Sequence, residues 1–235
     1  MNILAIDTSN QVLGVAIQQN KQIAGEIITN LPKNHSVRLM PAIDQLMNEL
    51  VLKPEQLDLI VVAKGPGSYT GVRIGLATAK AMAWALNIPI IGVSSLEVLA
   101  YQGRFFNGII CPFFDARRGL VYAGGYQWHN FSMQHVRTEA NLVMDDLLDE
   151  LKSSNQPVLF LSPDMELHRE RIVTKLEGMA VIPEETFHLP RASHLIAAAK
   201  GKEPDPTHTL TPNYLRLAEA EAKWREQNKG KHENG

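Results

Sequence analysis

An apolar run, Leu59 to Ala63, passes without a break into Lys64-Gly65-Pro66-Gly67-Ser68-Tyr69-Thr70-Gly71-Val72-Arg73-Ile74-Gly75, and an alanine-rich segment follows. That order reads as strand, tight glycine turn and helix, which commits this part of the chain to an α/β architecture. Glycine permits positive φ and lets the backbone approach an anion or another segment closely, and Thr70 is placed to cap the helix. The named phosphate motifs do not fit. There is no Gly-Lys-Ser/Thr ending of a P-loop, and Thr70 stands where the dinucleotide fingerprint needs its third glycine. A structural elbow and an anion-binding loop both remain open readings of these residues.

The surrounding pattern is doubled. In the first half, strands are expected at 3–6, 12–17 and 23–28, the first ending in Asp7 and a polar turn. Leu39, Ile43, Leu46, Met47 and Leu50 then recur at helical spacing, with Ser36 as the expected cap and Pro41 in the first turns. Strand 59–63, helix 71–87, strand 90–93 and a helix opened by the capping box Ser94-Ser95-Leu96-Glu97 follow. In the second half, 109–115 is again an apolar strand ending in Asp115 and a polar turn. Strands 120–128 and 133–138, helix 142–151, strand 158–161, helix 166–176, strand 179–182 and helix 191–200 complete it. Each half reads β-β-β-α-β-α-β-α, which predicts two similar α/β lobes, 1–103 and 104–202. A breaker segment, Glu203-Pro204-Asp205-Pro206-Thr207, introduces an extension with a polar helix at 217–227 carrying Trp224. Residues 228–235 read as a flexible tail.

Composition bounds the function classes. The 235 residues, 45% of them hydrophobic, suffice for two real cores. A net charge of −2, from 23 basic and 25 acidic residues, gives no global attraction to nucleic acid or to an anionic membrane. The single cysteine, Cys111, excludes an internal disulfide and a thiolate metal cage. The N-terminus, Met1-Asn2-Ile3-Leu4-Ala5-Ile6-Asp7, lacks the basic and apolar regions of a signal peptide, so a cytoplasmic location without membrane attachment is expected.

Asp7-Thr8-Ser9 closing the first strand, Asn34-His35-Ser36 entering the first helix, the glycine block, Asp115-Ala116-Arg117-Arg118 and Pro212-Asn213-Tyr214-Leu215-Arg216 resemble, in that order, the TsaB (YeaZ) family. The resemblance implies the actin/Hsp70-like ATPase fold and similarity to the TsaD/Kae1 proteins, which place a threonylcarbamoyl group on the tRNA adenosine beside the anticodon. It implies an accessory subunit that supports TsaD, with TsaE as a further ATPase partner, a separate synthase making threonylcarbamoyl-AMP, and tRNA contact made indirectly. An ATP-dependent transferase or kinase of the same fold is the alternative, and a glycoprotease-like hydrolase is third.

The residues speak against independent chemistry. TsaD-like enzymes hold a metal with two histidines four apart on a helix, and none of the eight histidines here is so paired, so no metal site is expected. The second half lacks the glycine-rich turns with which actin-fold ATPases hold adenosine: Ser162-Pro163-Asp164 and Pro183-Glu184-Glu185 stand there instead. Ser68 lacks the Gly-x-Ser-x-Gly elbow of a hydrolase nucleophile, so no catalytic residue is assigned. His35 is expected to bond locally, and Arg117 and Arg118 to form a turn, with anion binding beside Asp115 as the lesser alternative. Asp7, Thr8, Ser9, Gly65, Gly67 and Ser68 are the candidates to face an anion, with turn formation as the equal alternative. No cofactor is expected to be intrinsic, and ATP or ADP would sit at a cleft or a partner junction.

Helix 71–87 is apolar almost all round, and only Arg73 and Lys80 on it are charged. With the first helix it is the expected partner face, comprising Met40, Ile43, Met47, Arg73, Ile74, Ala77, Lys80, Ala81 and Trp84. The resemblance implies that TsaD docks there in a four-helix arrangement, and that the same surface can form a competing homodimer.

Overall fold

The computed structural model describes residues 1–32, 34–130 and 132–215. The expected helix 217–227 and tail 228–235 lie outside the described residues. The first half comprises β1 (Ile3–Asp7), β2 (Val12–Gln19), β3 (Gln22–Asn30), α1 (His35–Glu49), β4 (Leu59–Ala63), α2 (Tyr69–Leu86), β5 (Ile90–Val93) and α3 (Ser95–Ala100). The second comprises β6 (Ile109–Asp115), β7 (Leu120–His129), β8 (Ser132–Val143), α4 (Met144–Ser153), β9 (Val158–Leu161), α5 (Arg169–Leu176), β10 (Ala180–Val181) and α6 (Ala192–Ala198).

The two sheets have one topology. Their orders are β3-β2-β1-β4-β5 and β8-β7-β6-β9-β10, each with an antiparallel three-stranded side and a parallel side. This doubled arrangement is the actin/Hsp70-like fold. Strands β1, β4, β5 and β9 read as nearly unbroken apolar runs because both of their faces are covered, whereas the edge strands β3 and β8 are more polar and partly exposed. Along β1, Leu4 and Ile6 face the core beneath α1 and α2, while Ile3 and Ala5 face the opposite cluster.

The last helix of each half crosses to the other sheet. α6 packs Leu195, Ile196 and Ala198 against Ile3, Ala5, Ala16 and Val61 of the first sheet. α3 lays Leu96, Leu99 and Ala100 against Ile110, Phe114 and Leu161 of the second. The exchange ties the halves together with apolar surface that neither half could cover with its other helices. The far face of the second sheet is covered locally, by Leu147, Leu148 and Leu151 of α4 and Ile172 and Leu176 of α5.

Local details differ from the sequence expectation at helix starts. Ser68, not Thr70, caps α2: its extended backbone precedes the first turn and its Oγ accepts from Gly71 N at 3.3 Å, whereas Thr70 is already helical. Asn34, not Ser36, caps α1. Ser94 caps α3, but Glu97 pairs with Lys202 at 3.0 Å. β8 runs on to Val143 because Leu120 pairs with it, so α4 begins at Met144.

α6 also carries a half-buried titratable group. Burial pushes the His194 imidazole down to about 4, against an ordinary 6.5, and its Nδ1 has no partner among the described residues. The unfolded chain therefore binds the extra proton between those two values. The stability this group contributes is present above pH 6.5 and is lost as pH falls toward 4, by an amount on the order of 3 kcal/mol. Denaturant titrations across that range are expected to show a shallower acid loss for His194→Asn than for the unsubstituted chain. Parallel pH profiles would refute the assignment.

Candidate functional site

The C-terminal ends of β1 and β4 bring the Asp7-Thr8-Ser9 turn against the glycine loop. Asp7 Oδ1 accepts from Ser9 N at 2.8 Å and from Ser9 Oγ at 2.7 Å. The carboxylate is only 2% exposed and its Oδ2 has no partner among the described residues. Burial pushes this carboxyl above its ordinary range, with the Ser9 hydrogen bonds and nearby His35 opposing the shift. His35 bonds Asn10 O at 2.7 Å through Nε2, the local role its position suggested.

The glycines are occupied by the chain's own backbone. Ser68 N donates to Ser9 O at 2.7 Å, and Thr8 Oγ1 donates to Gly71 O at 2.7 Å. A Cβ on Gly67 would lie 2.0 Å from Ser9 O, and one on Gly71 would lie 2.2 Å from Thr8 O. Gly65, at φ 92°, accepts from Ser95 N through its carbonyl and backs onto Asn213 O. Close backbone approach is the reason for glycine here, but what approaches is the β1–β2 turn and the C-terminal segment.

Between the halves, a cleft of about 420 Å³ is lined on one side by Asn10, Gln11, Gly67, Ser68, Tyr69 and Thr70. The other side presents Asp115, Arg117, Tyr122 and Asp164. Of the six candidate anion-facing residues, Gly67 and Ser68 reach this cleft, and Asp7, Thr8, Ser9 and Gly65 do not line it. Arg117 and Arg118 both take positive φ in the β6–β7 turn. Asp115 accepts from His168 Nε2 at 3.0 Å and from Arg117 N at 3.0 Å, and its own N–H donates to Asp164 Oδ2 at 2.9 Å. Burial pushes the Asp164 carboxyl up. No local pattern marks Asp164 or His168 beyond their place after β9, because the pairing with Asp115 spans some fifty residues.

The loop amide of Ser68 is already bonded, and the facing wall carries the carboxylates of Asp115 and Asp164 together with the Arg117 guanidinium. Among the described residues no group of three or more His, Cys, Asp and Glu is placed to hold a metal ion.

A second cavity, about 560 Å³, lies beyond the glycine loop and is lined by Lys64, Ser94, Glu139, Lys202, Asp205 and Asn213, among others. Glu139 joins three parts of the molecule there, accepting from Ser94 Oγ, from Tyr126 Oη at 2.6 Å and from Asn213 Nδ2 at 3.3 Å. Burial, and then the Glu139 charge, pushes the Tyr126 hydroxyl well above its ordinary value.

A further surface feature is α2. Val72, Leu76, Ala79 and Ala83 face the first sheet, which leaves Arg73, Ala77, Ala81 and Trp84 outward along one helical row. Trp84 is 70% exposed. On α1, Val37 and Met40 are exposed. Ile43 and Met47, expected on the partner face, are only 1% and 5% exposed and belong to the core beneath α1, so they support that surface without forming it. Ile74 and Lys80 are half-buried, and Lys80 Nζ donates to His208 O and Leu210 O. Among the described residues no helix is long and apolar enough to cross a membrane.

Residues 15–224 match the family described as TsaD, tRNA N6-adenosine threonylcarbamoyltransferase. The chain is 52% identical, over 97% of its length and 100% of the relative's, to the tRNA threonylcarbamoyladenosine biosynthesis protein TsaB of Bacillus subtilis. It superposes on a crystal structure of an uncharacterized Pseudomonas aeruginosa protein with similarity to peptidase YeaZ, with TM-score 0.79, 26% identity and coverage of 92% of this chain and 99% of that one. The fold is likewise that of Pseudomonas aeruginosa YeaZ, with TM-score 0.74, 24% identity and coverage of 91% and 100%. The full-length match to the Bacillus relative, the family match across most of the chain and the doubled sheet topology together place this chain in the TsaB family, within the wider group of TsaD-like proteins.

Proposed function

We propose that this chain acts in tRNA threonylcarbamoyladenosine biosynthesis as a non-catalytic subunit that binds and supports a TsaD protein. The reading is carried by the outward row on α2, where Arg73 leads into the small and apolar Ala77, Ala81 and Trp84 on a helix whose other side is packed on the sheet. Alanines allow a second helix to approach closely, and a solvated helix has no need of a tryptophan there. The chemistry of transfer is assigned to the partner, because this chain has no paired histidines and the Ser68 amide of its glycine loop is already bonded to Ser9 O. Nucleotide at the junction takes its phosphate ligands from the partner. TsaE joins this assembly, tRNA reaches it through the partner, and the same α2 face supports a homodimer that competes with TsaD. The setting is the cytoplasm, where tRNA is modified.

Reconstitution tests the proposal. Purified TsaD, TsaE and the threonylcarbamoyl-AMP synthase, supplied with tRNA, threonine, bicarbonate and ATP, are expected to yield modified tRNA only when this chain is added. The chain in place of TsaD is expected to yield none. Product formed without TsaD would make this chain the transferase, and product formed equally in its absence would remove the accessory role.

A further inference from the structure

Arg73 stands on the exposed face of α2 against Tyr69, a residue that lines the inter-lobe cleft, and it is held on two sides. Its guanidinium carbon lies 3.8 Å from the Tyr69 ring centroid and 5.6 Å from that of Tyr214, and the two rings stack at 5.5 Å. Its Nε donates to Tyr214 Oη at 2.6 Å. Tyr214 is 141 positions away in sequence, and it is delivered by a segment fastened along its length. Asp205 N donates to Ile90 O, Gly92 N donates to Asp205 Oδ2, Leu210 enters the first core, and Asn213 N donates to Lys64 O.

A surface arginine ordinarily samples many rotamers in water. Here stacking and the Nε bond fix the plane of the fork, so much of the ordering cost of binding is already met. No carboxylate among the described residues pairs with it, and α2 carries no acidic residue. A planar fork of this kind matches a carboxylate with two parallel hydrogen bonds. The inter-lobe cleft is not where that anion would sit, because Arg73 does not line it and its wall already sets Arg117 beside the carboxylates of Asp115 and Asp164. The helix side continues directly into Ala77, Ala81 and Trp84.

We propose that Arg73, pre-positioned by Tyr69 and Tyr214, receives a carboxylate side chain of the TsaD protein docked along α2. This rests on the docking reading above and names the residue that sets register and specificity at one end of the interface. The C-terminal segment thereby contributes to recognition through Tyr214, although it lies far from α2 in sequence.

The test is TsaD binding by full-length variants at several salt concentrations, with Ala81→Glu alongside. Arg73→Gln is expected to weaken association about tenfold or more and to flatten its salt dependence. Arg73→Lys should restore little, since an ammonium neither stacks nor forks, and Tyr214→Phe should fall between because it keeps the ring and loses the hydroxyl. A purely structural Arg73 would shift the melting of the free chain without coupling to the partner. The proposal instead requires that Arg73→Gln couple, in a double-mutant cycle, to a single carboxylate-to-amide substitution on TsaD. Unchanged binding by Arg73→Gln with binding lost in Ala81→Glu would overturn this proposal and leave the docking face intact. Unchanged binding by both would remove the docking face itself. A loss seen only when ADP is present would reassign the fork to a phosphate.

Discussion

Ala81→Glu is expected to abolish association with TsaD while leaving the lobe folded. Ala81 is exposed, sits in the middle of the outward row on α2, and makes no packing contribution to the first core. An exposed alanine-to-glutamate change within a helix alters stability by about half a kcal/mol or less. In a close helix–helix contact the same carboxylate loses its water without gaining a partner, which costs about 3 kcal/mol or more and weakens binding by two orders of magnitude or so. Ala77→Glu is a less sharp probe. Ala77 is one turn from Arg73, so its carboxylate would find an intrahelical partner and part of the penalty would be offset. Size-exclusion chromatography and calorimetry with TsaD measure the effect, and circular dichroism checks the fold. A folded Ala81→Glu protein that still binds TsaD normally would take this surface out of the interface.

The second large effect concerns stability. Gly71 lies in the first turn of α2, where alanine would ordinarily strengthen a helix by about 1 kcal/mol. In this molecule Gly71→Ala is expected to do the reverse. The added methyl would come within 2.2 Å of the Thr8 carbonyl oxygen, so the β1–β2 turn and α2 would have to separate. That movement also breaks the bond from Thr8 Oγ1 to Gly71 O and the one from Ser68 N to Ser9 O. A loss of about 3 kcal/mol or more follows, equivalent to a fall in Tm of roughly 10 °C for a chain of this size. Gly75→Ala should cost less, since its methyl would meet the Thr8 hydroxyl at 2.4 Å and a side chain can rotate where a carbonyl cannot. Thermal unfolding of the two variants gives the ranking directly, and a Gly71→Ala protein as stable as the parent would refute this account of the loop.

These two cases mark where local pattern suffices and where it does not. The doubled order of strands and helices was legible because the periods of strand and helix are written into each segment, and so were the two strands that end in Asp7 and Asp115. The glycine block announced a close approach of backbones, but a glycine does not say what approaches it, and the partner proved to be the chain's own β1–β2 turn. The helical spacing of Met40, Ile43 and Met47 showed one apolar stripe. Only packing on the sheet decided that Ile43 and Met47 are core while Met40 and Val37 remain outside.

By itself, the sequence determined the α/β class, the two-fold repeat, the family and the absence of a histidine pair. Tertiary structure decided what depends on distant segments meeting. That includes the crossing of α3 and α6 to the opposite sheets, the meeting of Asp115 with Asp164 and His168, the joining of the halves at Glu139, and the seating of Tyr214 on Arg73. The physical reason is that periodicity fixes which side of an element is apolar, whereas contacts between elements are chosen by the whole chain's burial and hydrogen bonding, which no local window contains.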